Sequence, residues 1–127
     1  MAVELRGLDI SFVAEEDLSS YQYHFVVLSS TEDYVRLPDA TAEVSIGILQ
    51  NAPESGEAAA VRVSGFSKAN AAEALTINDF VKPEYVSATD AGKATTITTG
   101  DTLEDGLRAL VVKGVSAEDY LAMVMLY

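Results

Sequence analysis

The apolar residues of this chain come in short runs, each about one strand long and each closed by a cluster of Gly, Pro, Ser, Asn or Asp. A packed helix needs an apolar stripe recurring at i, i+3, i+4 and i+7 over several turns, whereas a strand needs only a few residues before the next turn. Residues 21–28, Tyr-Gln-Tyr-His-Phe-Val-Val-Leu, are aromatic and β-branched and end at Ser29-Ser30-Thr31-Glu32-Asp33, which predicts a strand. Further strands are expected at residues 34–37, 44–49 and 59–63, the last two forming a hairpin around Asn51-Ala52-Pro53-Glu54-Ser55-Gly56. Ahead of them, Leu5, Leu8, Ile10 and Phe12 alternate loosely before the acidic break Glu15-Glu16-Asp17. That pattern suits either an extended arm or a first strand.

Two segments are less decided. Residues 67–75 are Ala-rich and fit a short helix or an irregular strand equally well. Residues 120–127 follow Ser116-Ala117-Glu118-Asp119, which has the look of a helix start, but they are apolar on every side and too few for an amphipathic helix, so a strand is expected. Tyr34-Val35 before Asp39-Ala40 is echoed by Tyr85-Val86 before Asp90-Ala91, and the hairpin at 47–63 is echoed at 106–125, which raises an internal repeat as a hypothesis. The fold class expected is all-β: a small barrel or sandwich of short antiparallel strands, with room for one short helix. The division expected is an extended N-terminal arm, 1–14, and a single β domain, 15–127, a size that one core can serve.

Charge narrows the partners. Eight Lys and Arg stand against 20 Asp and Glu, a formal net charge of −12. Such a surface repels phosphate backbones and anionic lipids, so neither nucleic acid nor membrane is an expected partner. No run approaches a membrane span, no secretory leader is evident at the start, and the absence of cysteine excludes disulfides and thiolate metal sites. Synthesis in a cytoplasm is the expectation.

Reactive side chains are sparse. The single histidine, His24, sits between Tyr23 and Phe25 in a strand pattern, and no Gly-x-Ser-x-Gly elbow accompanies it, so a packed residue is expected rather than a catalytic one. One His without Cys cannot ligate zinc, and Asp101, Glu104 and Asp105 lack the alternating acidic loop of a calcium site. Glu15-Glu16-Asp17 and Glu118-Asp119 read as solvated turns, and neither a dinucleotide-binding glycine motif nor a P-loop occurs. Tyr21, Tyr23 and Phe25 at period two would share one sheet face, a core face first and a ligand platform second. No enzyme activity, cofactor or metal is expected.

Five segments in order resemble the decoration (cement) proteins of tailed-phage capsids: residues 17–28, residues 46–53, Gly56-Glu57 leading into residues 61–65, Ser67-Lys68, and residues 89–94. The chain departs from that pattern where residues 69–73 replace a Gly-rich turn and where Lys82-Pro83-Glu84 is expected to interrupt a strand. The resemblance implies a structural protein without a reaction, bound to the major capsid protein on the outer surface of the virion, commonly as a homotrimer. The residues expected to contact shell or neighbour are Val3, Leu5, Leu8, Ile10 and Phe12 on the arm and Met123, Met125 and Tyr127 in the C-terminal run. The rival expectations are another virion module, such as a head-fibre base or a tail accessory, and a small-ligand or carbohydrate-binding β-barrel using the Tyr21, Tyr23 and Phe25 face.

Overall fold

The structure, a computed structural model, describes residues 7–40, 43–97 and 109–126. Among them it is all-β, with no helix. The strands are β1 (Gly7–Ala14), β2 (Phe25–Leu28), β3 (Tyr34–Arg36), β4 (Ser45–Leu49), β5 (Ala58–Asn70), β6 (Phe80–Ser87), β7 (Asp90–Thr96), β8 (Ala109–Lys113) and β9 (Leu121–Leu126).

Five strands close on themselves in the order β1-β3-β2-β4-β5, because β1 also pairs with β5 from Gly7–Gly65 to Val13–Ala58. Closure removes the open edges that a flat sheet of these short strands would expose. β5 is 13 residues long, more than the barrel needs. Beyond Gly65 it leaves the barrel and becomes the first strand of a second sheet, β5-β9-β8-β6-β7. Gly65 has φ +93°, left-handed backbone that a side chain would strain, and it marks the point where β5 passes from one sheet to the other. The second sheet curls back until Ala94 of β7 bridges Ala71, just past the end of β5.

Two cores result, with a common wall. Ala14, Leu18, Val26, Val35, Leu37, Leu49, Ala59, Val61 and Ala91 fill the barrel. Phe25, Ile48, Leu75, Val81, Val111, Val124 and Leu126 are among those filling the second. Successive strand residues point to opposite faces, so Phe25 and Val26 on β2, and Ile48 and Leu49 on β4, serve one core each. Burial on both faces is why these strands are apolar without alternation. Each such side chain contributes roughly 1.5–3 kcal/mol relative to exposure.

Several expectations need revision. Residues 21–24 are a turn, not strand, and β2 begins only at Phe25. Tyr23 has φ +68°, and its backbone is satisfied across the junction: its N–H donates to Leu49 O at 2.8 Å and its carbonyl accepts from Asn70 N at 3.0 Å. The aromatic trio therefore does not form one face; Tyr21 packs on the barrel core, and Tyr23 and Phe25 on the other. The Ala-rich stretch 67–75 is strand to Asn70, followed by isolated bridges at Ala71 and Leu75, because small Ala side chains let it pack under β9 and β7. Pro83 lies within β6 instead of interrupting it: β8 pairs only with Phe80 and Val81, so the missing N–H of Pro83 costs no ladder bond there, and a register shift follows it. Of the two echoes, β4–β5 and β8–β9 are both antiparallel pairs, whereas Tyr34-Val35 pairs into the barrel and Tyr85-Val86 leads into the β6–β7 hairpin.

Candidate interaction surface

Strand alternation on β9 buries Ala122, Val124 and Leu126 and turns Leu121, Met123 and Met125 outward. Leu121 is 46% exposed, and the two methionines are half-buried. The neighbouring strands continue this outward surface. Phe66 stands opposite Met125, Met125 opposite Leu110, and Leu110 opposite Phe80, an apolar row running across β5, β9, β8 and β6. Phe66 and Phe80 are 36% and 46% exposed. Beside it, Lys68 faces Met123, and Met123 faces Lys113 across a register shift. Lys68 also lies over the Tyr23 ring, 5.5 Å from its centroid. Residues 65–70, β8 and β9 contain no Asp or Glu, although the chain carries 20.

The carboxylates gather elsewhere. Lys93 on β7 is ringed by Asp119 Oδ1 at 2.9 Å, Glu118 Oε2 at 3.0 Å and Asp90 Oδ1 at 3.4 Å, the last in ion-pair range but not aligned for a hydrogen bond. Burial works against the Lys93 charge, but its hydrogen bonds to Asp119 and Glu118 outweigh this and hold its pKa above the ordinary lysine value. Burial raises the pKa of nearby Glu84, and Asp90 adds to the effect. On the barrel, Arg36 makes a two-pronged bond to Glu43 at 2.6 and 3.1 Å, which raises the arginine's pKa and lowers the carboxyl's.

His24 sits at the junction of the two cores, buried, with its Nδ1 3.0 Å from Ala91 O and Tyr21 edge-on at 5.3 Å. A carbonyl only accepts, so the neutral ring carries its proton on Nδ1. Burial lowers the His24 pKa, the Ala91 carbonyl opposes this, and the Lys93 charge lowers it further. Among the described residues there is no pocket and no group of three or more His, Cys, Asp or Glu able to hold a metal ion.

The residues picked out from sequence fall in three places. Leu8 and Ile10 lie on β1 and are 57% and 41% exposed, while Phe12 packs against the barrel core. Met123 and Met125 lie at the centre of the outward β9 surface. Val3, Leu5 and Tyr127 lie outside the described residues. Gly65 pairs with Gly7 on one edge and with Leu126 on the other, so the start of β1 and the end of β9 come within two strand spacings. Sequence reasoning missed Phe66, Lys68, Leu110, Phe80 and Lys113. Phe66-Ser67-Lys68-Ala69-Asn70, large alternating with small, carried the signal for the first two.

No protein-family model matches the sequence, and no curated protein matches it. The fold, however, has a solved counterpart. The N base of head fiber gp8.5 in bacteriophage phi29 is similar to this chain with a TM-score of 0.66, over 96% of this chain and 95% of that one. Sequence identity is 13%, so the likeness is one of fold.

Proposed function

We propose that this chain is a structural protein of a phage virion, seated on the outer surface of the head by binding the major capsid protein, in several copies and most simply as a homotrimer. It works by contact alone, with no reaction and no cofactor. The observation that carries this reading is the fold likeness to a phage head-fiber base over nearly the whole of both chains. The segments resembling capsid decoration proteins point the same way independently. Three linked subunits give three simultaneous contacts with a shell, so modest single interfaces add to a durable attachment.

The same likeness favours a second reading within this class, in which the chain is the base on which a head fibre stands. The two differ in what lies above the domain. Purified particles imaged at high resolution should carry this fold on the head exterior, bare for a decoration protein and continued outward for a fibre base. The carbohydrate-binding reading loses its support, since Tyr21, Tyr23 and Phe25 are divided between two cores.

A further inference from the structure

The outward surface of β5, β9 and β8 combines three features that ordinary solvated sheet faces lack. Phe66, Met125 and Leu110 stand in direct cross-strand register, and Leu121 extends the apolar area on β9. Lys68 and Lys113 bracket Met123 in the adjoining row. These strands carry no carboxylate, in a chain of net charge −12.

We infer that this surface is where one copy of the chain seats against a carboxylate-bearing surface of the next copy. The inference rests on reading the chain as a multi-copy head protein, and it adds the contact surface and its polarity. Charge decides the occupant. Glu15, Glu16, Asp17, Glu32 and Asp33 are exposed on the barrel, so the next copy offers carboxylates complementary to Lys68 and Lys113. Two copies joined through the same face would oppose lysine to lysine, which like-charge repulsion disfavours. The contact is therefore heterologous, this face of one copy against a different, acidic face of its neighbour, the arrangement that closes into a ring. Apolar residues at the centre supply the driving force, and the lysines set orientation.

Sedimentation velocity of the full chain across a concentration and salt series tests this. The wild type should form a discrete oligomer. Met123→Glu/Met125→Glu should be a folded monomer, because both side chains point away from the core. Lys68→Gln/Lys113→Gln should weaken association by about tenfold. Ser30→Glu/Thr31→Glu, in an exposed turn of the barrel, adds negative charge to the other sheet and should change it far less. A wild type that is monomeric throughout, or variants that associate like it, would overturn the inference, as would equal weakening by both charge pairs, which would mean general repulsion. Co-sedimentation with particles separates this from the proposed function. Monomers whose particle binding is lost on changing Met123 and Met125 would place the shell on this face and overturn the inference alone. Oligomers formed through this face without particle binding would support it while removing the capsid role.

Discussion

His24 donates its Nδ1–H to the carbonyl of Ala91 across 3.0 Å, fastening the start of β2 to the start of β7. The bond joins the two cores, because β2 is their common wall and β7 is the strand by which the second sheet returns. Protonation is where this link is sensitive. Burial lowers the folded-state pKa of His24 below its ordinary 6.5, so the unfolded chain takes up the proton first. Stability tied to the neutral ring is fully present above about pH 6.5 and is lost as the pH falls through that value toward the folded pKa. Melting temperature should therefore decline between about pH 6.5 and pH 5, above the ordinary carboxylate range, with Glu84, whose pKa burial raises, opposing the decline where it titrates. His24→Asn keeps an N–H donor at the Nδ1 position for Ala91 but cannot titrate, so its melting curve should be flatter over this range. An equal decline in both proteins would assign the effect to other groups.

Gly92 packs its backbone against the same segment. Its φ is +87°, and a Cβ there would lie 2.6 Å from Phe25 O and 3.2 Å from His24 Cβ. Gly92→Ala should cost about 2 kcal/mol or more in denaturant unfolding, roughly 1–2 from the left-handed backbone and the rest from displacing β7. A near-neutral variant would mean that β7 does not approach β2 this closely.

Paired truncations test which way β2 and β5 face. Phe25 is fully buried in the wall between the cores, whereas Phe66 projects outward at 36% exposure. Phe25→Ala should cost about 3–5 kcal/mol, the range for an aromatic removed from a core. Phe66→Ala should cost under about 1 kcal/mol of monomer stability, measured at concentrations too low for association.

How much of this was legible in the sequence depends on what each residue answers to. Strand character came through wherever residue type decided it, as in Phe25-Val26-Val27-Leu28 and Leu121-Ala122-Met123-Val124-Met125-Leu126. Tyr23 was misleading because its β-prone side chain sits on backbone shaped by long-range bonds to Leu49 and Asn70. Ala69 and Ala71 favour helix locally, but their small size is what a crowded sheet junction needs, and packing overrides propensity. The outward surface was half legible. Met123 and Met125 declared themselves by breaking alternation, but Phe66 and Leu110 gain meaning only from register, which joins residues 59 and 15 positions away from Met125 and leaves no trace in local pattern.

Lys93 offers a check on the electrostatics of the second sheet. Lys93→Met should destabilise the protein by about 1 kcal/mol, since two of its partners, Glu118 and Asp119, are more than half exposed and solvent screens them. With the ammonium gone, Asp90, Glu118 and Asp119 repel one another, so added salt should recover part of the loss. A variant as stable as wild type at low salt would show that the cluster is balanced without its lysine.

The central proposal, a structural role on the outside of a phage head, is tested most directly by imaging intact particles purified from a lysate that contains this chain. The expected result is density for the five-stranded barrel and its appended sheet on the outer capsid surface, repeated by the symmetry of the shell. Particles that lack the protein, or that carry it inside the head or on the tail alone, would contradict the claim.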